Sequence, residues 1–160
     1  MISVCMATFN GERYLKEQLD SILSQLGDED ELIISDDGSS DKTLEIIHAY
    51  KDKRIRFFHN RRKGIANNFE NALSRARGEF IFLADQDDVW LAGKLDKMVE
   101  FLEKESLDVA MCNCALVDRE LNIIKSPHFD SEWPMKRTLL SNLYKNAWLG
   151  CCMVLRSSVL

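Results

Sequence analysis

Short apolar runs alternate along this chain with segments whose apolar residues recur at helical spacing. The runs predict strands over residues 2–7, 31–35, 55–59, 80–84 and 109–113. Helical spacing predicts helices over residues 15–26, 44–50, 65–76 and 95–102. Successive strand–helix units favour a parallel sheet with right-handed crossovers and helices on both faces. The predicted fold is therefore α/β, with a mostly parallel, Rossmann-like sheet in a single unit over residues 1–160.

Polar and small residues at the ends of these segments predict where the helices begin and end. Asn10 is a candidate cap for the first helix, and Ser40 or Asp41 is a candidate for the second. Gly78 is expected to end the third helix. The alternation weakens beyond residue 115, where residues 117–123 predict a hairpin.

The charge of the chain restricts its partners. With a net charge of −5, the chain lacks the basic face of a nucleic-acid-binding protein, so no nucleic-acid partner is expected. No secretion signal opens the sequence and no apolar stretch approaches the roughly 18 residues of a membrane span, so a cytoplasmic location is predicted. Residues 51–63 are nevertheless rich in Lys and Arg. This segment is typical of a solvated strand edge; alternatively, it attracts a diphosphate or the inner face of the cell membrane.

The five cysteines include no Cys-x-x-Cys motif. Cys112 and Cys114 form one group and Cys151 and Cys152 another, and both groups are predicted to lie inside strands. A free cysteine in a strand behaves as a small apolar side chain, and these spacings do not suit a structural zinc site. The sequence therefore favours reduced core cysteines over zinc ligands.

Carboxylates follow two of the predicted strands. Asp85, Asp87 and Asp88 come directly after an apolar strand, where they repel one another unless a cation compensates. Magnesium takes one or two carboxylates and completes its shell with substrate phosphates. Residues 36–41 supply further aspartates after the second strand. Each motif alone also suits a turn that caps a helix. Together, at the carboxyl ends of parallel strands, they predict a site for a base and a metal-bound diphosphate.

Three stretches carry a resemblance to a known family. Residues 7–12 (ATFNGE), 35–41 (SDDGSSD) and 78–88 (GEFIFLADQDD) resemble, in order and spacing, the family 2 glycosyltransferases of GT-A fold. The likeness covers essentially the whole chain, although Ala7 stands where many members have proline. Residues 85–90 (DQDDVW) further resemble the subgroup of bacterial rhamnosyltransferases and related polysaccharide-building enzymes, which favours a thymidine nucleotide.

The resemblance implies a role for each matched position. Contacts to the base and ribose are expected from Thr8, Phe9, Asn10 and Glu12. Asp37 would accept the N3–H of a pyrimidine base, and Asp85 and Gln86 would lie near the ribose and diphosphate. Asp87, together with Asp85, would ligate Mg²⁺ or Mn²⁺. Lys63 is a further candidate for the phosphates, but nothing in the spacing fixes it.

The reaction implied is an inverting, metal-dependent transfer in bacterial surface polysaccharide synthesis. A sugar would pass from a UDP- or dTDP-linked donor to a saccharide or lipid-linked acceptor. Two alternatives stay open: a sugar nucleotidyltransferase, although only one glycine is present in the first loop, and a module that only binds the donor. A receiver-type signalling domain is disfavoured, because its acidic pair would follow the first strand.

The carboxyl-terminal part departs from the family pattern. Residues 148–153 resemble the strand that precedes the acidic motif carrying the general base, and residues 156–160 resemble the start of another helix. We expect a domain that is incomplete at this end, lacks its base, transfers sugar at no more than a trace rate and self-associates through apolar surface. Asp130 and Glu132 are poor candidates for the base, so no catalytic residue is assigned.

Overall fold

A six-stranded sheet organises the computed structural model, which describes residues 1–129 and 149–160. Its strands are β1 (Ile2–Thr8), β2 (Glu31–Asp36), β3 (Ile55–His59), β4 (Phe80–Asp85), β5 (Val109–Met111) and β8 (Met153–Arg156). Their order is β3-β2-β1-β4-β8-β5. β1 is parallel to β2 and β4, and β2 is parallel to β3, whereas β8 is antiparallel to both β4 and β5. The predicted mostly parallel α/β sheet is confirmed.

Helices cover both faces of the sheet, as predicted. They are α1 (Leu15–Leu23), α2 (Thr43–Ala49), α3 (Ile65–Leu73) and α4 (Lys94–Lys104). Alternate residues of β1 point to opposite faces: Val4 packs in a core that includes residues of α1, α2 and α4, whereas Cys5 packs in the core that includes Ala72 of α3. Within the described residues, no helix combines the length and the apolar character needed to cross a bilayer.

The helix α1 begins at Leu15, as its apolar spacing predicts, but Asn10 does not cap it. The helix follows a turn in which the amides of Tyr14 and Leu15 donate to the carbonyl of Gly11, each at 3.1 Å. Asn10 instead adopts a left-handed conformation with φ of 48°, and its side chain accepts a hydrogen bond from the amide of Ser40. Asn10 therefore belongs to the loop after β1, the first loop of the site, and not to the helix.

At the start of α2 the N-cap position is Lys42, which makes no side-chain cap bond; the predicted candidate Asp41 lies one residue before it. The Asp41 carboxylate accepts hydrogen bonds from the amide of Thr43 at 3.0 Å and from the hydroxyl of Thr43 at 2.5 Å. These bonds satisfy an amide at the start of the helix that no helical carbonyl can reach.

Gly78 does not end α3, which stops at Leu73. A β-carbon at position 78 would lie 2.6 Å from the backbone nitrogen of Ser3 and 2.8 Å from the carbonyl carbon of Ile2. The amide of Gly78 donates to the hydroxyl of Ser3 at 2.8 Å. The glycine therefore permits a close approach between the start of β1 and the segment that leads into β4.

The later part of the chain partly follows the prediction. A hairpin is confirmed by the antiparallel strands β6 (Leu116–Val117) and β7 (Ile123–Lys125). The strand predicted over 109–113 ends at Met111, and the one predicted over 148–153 begins only at Met153. The residues before it, Gly150–Cys152, form a 3-10 turn in which the amide of Cys152 donates to the carbonyl of Leu149. Trp148, Asp130 and Glu132 lie outside the described residues.

Most cations of the basic segment 51–63 have local partners. Ion pairs join Arg54 to Asp52, Arg56 to Glu31, Arg62 to Glu70 and Lys53 to Asp28. Hydrogen bonding to Arg54 is the main reason that the pKa of Asp52 falls to about 2. Because so many of these charges are paired within the chain, the geometry favours a structural strand edge over a free cationic surface.

Candidate functional site

The carboxyl ends of the parallel strands lie level with one another. Thr8 at the end of β1 is in register with Asp36 at the end of β2, and Ala7 is in register with Asp85 at the end of β4. Asp36 is in turn in register with His59 at the end of β3. The loops that carry the sequence motifs therefore meet at one edge of the sheet, where ligands of such sheets bind.

Asp36 supports the loop after β2, the second loop of the site, from within. Its fully buried carboxylate accepts hydrogen bonds from the hydroxyl of Thr8 at 3.0 Å and from the amides of Gly38 and Ser39 at 2.9 and 2.8 Å. The hydroxyl of Ser39 donates to it as well, at 2.5 Å. Thr8, predicted to line the base and ribose pocket, is only 1% exposed, so its side chain serves to join the first two loops.

Asn10 and Glu12 tie the first loop to the start of α2. The side chain of Asn10 accepts from the amide of Ser40 at 2.8 Å, and the carboxylate of Glu12 accepts from the amide of Lys42 at 2.9 Å. The amide of Glu12 donates in return to Asp41 at 3.0 Å. Both side chains were predicted to contact the nucleotide; in the structure they hold the loop that carries the exposed ring of Phe9.

Gln86 joins the first loop to the loop after β4. Its side-chain oxygen accepts from the amide of Phe9 at 2.9 Å, and its side-chain nitrogen donates to the carbonyl of Phe9 at 3.0 Å. Gly11 lies beneath this contact, and a β-carbon there would overlap the Gln86 oxygen and lie 2.7 Å from the side-chain amide carbon. The Gln86 amide therefore fixes the spacing between the two loops.

Asp37 lies half-buried where the second loop meets the loop after β3. Its two carboxylate oxygens accept from the side chain of Asn60 at 2.8 Å and from the amide of Gly64 at 2.9 Å. The ammonium group of Lys63 donates to the Asp37 carbonyl. A carboxylate has about four lone-pair positions, so Asp37 keeps acceptor capacity for a further N–H group.

A group of potential ligand atoms lies where the end of β4 and the loop after it meet the 3-10 turn before β8. Atoms of Asp85, Asp88 and Cys151 lie within 4.8 Å of one another, and all three residues are half-buried. Burial, and then the neighbouring charges of Asp88 and Asp87, raise the pKa of Asp85. Asp87, predicted as a metal ligand with Asp85, is exposed and is not one of these three residues. Two carboxylates and a thiol are a donor set that suits a divalent cation.

Lys94, at the start of α4, joins this group to the buried core. Its ammonium group donates to the carbonyl of Cys151 at 2.8 Å and lies 4.0 Å from the centre of the Trp90 ring. The Trp90 ring is buried and packs against Phe82 of β4. The position of the Lys94 charge, and the course of the 3-10 turn, are therefore fixed from the core.

The placement of four cysteines contradicts the prediction that they lie inside strands. Only Cys5 does, and burial raises its pKa to about 12. Cys112 and Cys114 follow β5, whereas Cys151 and Cys152 form part of the 3-10 turn. The amide of Cys112 donates to the carbonyl of Cys152 at 3.0 Å, which brings the two groups together. All five are free thiols.

Several residues of this site were not predicted from the sequence. Asn60 and Gly64 hold Asp37, and an Asn–x–x–x–Gly pattern after a strand was the available signal. Cys151 reaches Asp85 only because β8 is inserted between β4 and β5. No local pattern indicates that insertion.

A separate cleft of about 420 Å³ lies at the β3 edge of the sheet. Its lining consists of Phe57, Phe58, His59, Asn60, Arg61, Arg62, Asn71 and Arg75. It shares Asn60 with the surroundings of Asp37 and includes none of the three residues around Cys151. The chemistry predicted from the sequence therefore lies outside this cleft.

Comparisons with known proteins agree with the geometry. The sequence profile described as Glycosyl transferase family 2 matches residues 3–159. The UDP-Glc:alpha-D-GlcNAc-diphosphoundecaprenol beta-1,3-glucosyltransferase WfgD of Escherichia coli is 30% identical over 155 residues, which are 96% of this chain and 59% of that protein. The chain thus spans little more than half the length of this curated relative.

Solved structures show the same fold. S. aureus TarS 1-349 in complex with UDP-GlcNAc superposes with a TM-score of 0.73 at 25% identity, covering 99% of this chain and 46% of that one. The mannosyltransferase PcManGT from Pyrobaculum calidifontis, in complex with GDP-Man and Mn²⁺, superposes with a TM-score of 0.62 at 26% identity, covering 69% of this chain and 34% of that one. The GT-A fold implied by the sequence motifs is confirmed.

Proposed function

The chain belongs to glycosyl transferase family 2, and on that premise we propose that it binds the nucleotide-sugar donor of an inverting, metal-dependent sugar transfer. One observation carries the proposal. The Asp37 carboxylate and the pair formed by Asp85 and Asp88 lie at one edge of the sheet, on either side of the loop after β1. Hydrogen bonds of Gln86 and Asn10 tie both sides to that central loop. A base acceptor and a diphosphate-binding group thus lie at the same edge of the sheet.

We assign uridine as the nucleoside of the donor. Asp37 offers a charged acceptor to the N3–H of a pyrimidine, and its own bonds to Asn60 and Gly64 hold it in place. WfgD is named for its use of UDP-Glc, and TarS was solved with UDP-GlcNAc, which supports uridine over the thymidine favoured by the DQDDVW run. PcManGT was solved with GDP-Man, so guanosine is the competing nucleoside to be tested. The rhamnosyltransferase-like subgroup stays a prediction from sequence.

The metal is assigned to the group around Asp85. Asp85 and Asp88 supply two carboxylate oxygens, and the sequence-predicted ligand Asp87 is exposed beside them. Mg²⁺ or Mn²⁺ bound there would neutralise the charge that develops on the diphosphate leaving group. The carboxylates of Asp85 and Asp88 are held close together and repel one another, so a cation that relieves this repulsion binds favourably. Lys94 adds a fixed positive charge on the same side.

The acceptor is assigned to a saccharide or a lipid-linked saccharide, at the cytoplasmic side of a bacterial membrane. The name of WfgD specifies a diphosphoundecaprenol-linked acceptor, which supports this class. Transfer by single displacement inverts the anomeric centre and requires a carboxylate that takes the proton of the acceptor hydroxyl. No described residue is assigned that role.

Nucleotide binding tests the proposal. Calorimetry of the chain with UDP, dTDP, GDP and ADP, each with and without Mn²⁺, should give the tightest binding for UDP with Mn²⁺. Asp37→Asn keeps the shape of the side chain but removes its charge, so UDP binding should weaken about tenfold, the loss expected for a charge-assisted hydrogen bond. The control is Asp28→Asn, a highly exposed carboxylate away from the site. Equal affinities for purine and pyrimidine diphosphates, unchanged in Asp37→Asn, would contradict the assignment.

A further inference from the structure

A thiol lies among the carboxylates that the proposed function assigns to the metal. The sulfur of Cys151 and one oxygen each of Asp85 and Asp88 are mutually within 4.8 Å. A single ion with bonds of about 2.0–2.3 Å can contact all three atoms, because ligand atoms around one ion lie about 3–4 Å apart. The upper limit of 4.8 Å in this group exceeds that spacing slightly, so binding of one ion would draw the side chains closer.

The backbone around Cys151 fixes the position of this thiol. The 3-10 turn of Gly150–Cys152 leads directly into β8, which pairs with β4 through Phe82 and Val154. The Cys151 carbonyl accepts from Lys94 at 2.8 Å, and the carbonyl of Cys152 accepts from the amide of Cys112 at 3.0 Å. The turn is thus anchored to β4, α4 and the segment after β5, so Cys151 is held beside the end of β4.

We propose that Cys151 is a third protein ligand of the divalent cation at the donor site, which gives the site a preference for thiophilic ions. This inference rests on the proposed function, because it concerns the same metal. When the metal–sulfur bond forms, the thiol releases its proton to solvent. Mg²⁺ is hard and selects oxygen ligands, whereas thiolate favours Zn²⁺, Co²⁺ and Cd²⁺. Mn²⁺ should therefore bind better than Mg²⁺, and Co²⁺ or Zn²⁺ better than either.

The neighbouring thiols offer a competing explanation for any binding of soft metals. The sulfur atoms of Cys151 and Cys152 are 4.0 Å apart, and Cys112 lies next to Cys152. Among the described residues, however, the one group of three or more potential ligands at metal spacing is the one that contains Asp85 and Asp88. Substitutions of Cys112 and Cys114 are therefore matched controls, since they remove nearby thiols and leave this group intact.

Cobalt spectroscopy tests the inference without any activity measurement. The reduced chain is titrated with Co²⁺, and sulfur-to-cobalt charge-transfer absorption in the near ultraviolet is recorded. The band should appear in wild type, Cys112→Ser and Cys114→Ser, and should be absent in Cys151→Ser and weak in Asp85→Asn. Co²⁺ affinity should fall at least about tenfold in Cys151→Ser, because even the loss of an outer partner of a metal ligand costs about 10–100-fold. Mg²⁺ affinity should change much less.

A second variant separates a lost ligand from a lost fold. Cys151→Asp replaces the thiolate with an oxygen ligand, so it should remove the sulfur-to-cobalt absorption band and restore binding of Mn²⁺. The ratio of Mn²⁺ affinity to Mg²⁺ affinity should be smaller than in wild type. Persistence of the band in Cys151→Ser, or its loss in Cys112→Ser, would overturn the inference by placing the metal on the other thiols. UDP binding measured on the same proteins distinguishes the two claims. If Mn²⁺ supports UDP binding equally in wild type and Cys151→Ser, only the thiolate inference fails; if no metal supports UDP binding, the proposed function fails.

Discussion

Replacement of Gly11 and Gln86 tests how the first loop of the donor site and the loop after β4 are held together. A β-carbon at position 11 would overlap the Gln86 side-chain oxygen and lie 2.7 Å from its amide carbon. The three atoms nearest to that β-carbon all belong to Gln86. Gly11→Ala should therefore displace the Gln86 amide and break its two hydrogen bonds to the backbone of Phe9.

The cost follows from those two bonds. Each typically contributes about 0.5–1.5 kcal/mol, and water can replace them at this exposed site, so the pair should contribute about 1–2 kcal/mol. Gln86→Ala removes the same two bonds and should destabilise the chain by a similar amount. In the Gln86→Ala background, the side-chain amide that would clash with a β-carbon at position 11 is gone. Gly11→Ala should then be neutral, or stabilising by about 0.4–1 kcal/mol through reduced freedom of the unfolded chain.

Urea denaturation of the wild type, the two single variants and the double variant measures this coupling. We expect the double variant to unfold at the same urea concentration as Gln86→Ala, or slightly higher. UDP binding should weaken in both single variants, because Phe9 loses its fixed distance from the loop after β4. Strict additivity of the two destabilisations would refute the reasoning, since it would mean that Gly11 is needed for some reason other than Gln86.

Two further predictions concern the opposite end of the sheet. Gly78→Ala should lower the midpoint of thermal unfolding by several degrees or prevent folding, because its β-carbon would meet backbone atoms of Ile2 and Ser3 that cannot rotate away. The matched control is Gly27→Ala, where the atom nearest to the new β-carbon is a side-chain oxygen at 3.2 Å. Burial raises the pKa of Glu31, but hydrogen bonds from Ser3, Arg56 and the amide of Arg77 outweigh it and lower the pKa below its ordinary value of 4.5. The charged Glu31 side chain therefore stabilises the fold above about pH 4.5. Denaturation of wild type and Glu31→Gln across pH should show a difference in unfolding free energy that shrinks as the pH falls below that value. A difference that grows in acid would contradict the assignment.

The fold could be predicted from local patterns wherever the sheet is parallel. Helical and strand periodicity placed β1 to β4 and the four helices, because each element buries apolar residues that recur at its own period. The position of β8 between β4 and β5 could not be predicted, because strand order depends on contacts between residues far apart in the chain. Helix ends were predicted less accurately. Asn10 and Gly78 are residues typical of helix ends, but tertiary contacts to the loop before α2 and to β1 determine their roles.

The site could be located from the sequence more readily than the roles of its residues. The motifs indicated which strand ends meet, and the register of β1 with β2 and β4 confirms that those ends are level. The motif letters do not say which side chains face a ligand. Asp36 and Asp37 are adjacent and identical, yet one is fully buried and supports its own loop, while the other keeps free acceptor capacity. Nucleotide contacts from Thr8, Asn10, Glu12 and Gln86 stay predictions. In the structure these four side chains form hydrogen bonds with neighbouring loops.

Titration of the isotopically labelled chain with UDP and Mn²⁺, followed by amide NMR, tests the central claim most directly. UDP with Mg²⁺ should shift the signals of Phe9 to Glu12, Asp37 and Asp85 to Asp88. Exchange of Mg²⁺ for paramagnetic Mn²⁺ should broaden the signals nearest to Asp85, Asp88 and Cys151. Shifts and broadening centred instead on the β3 cleft, around Phe58 and Arg75, would contradict the account.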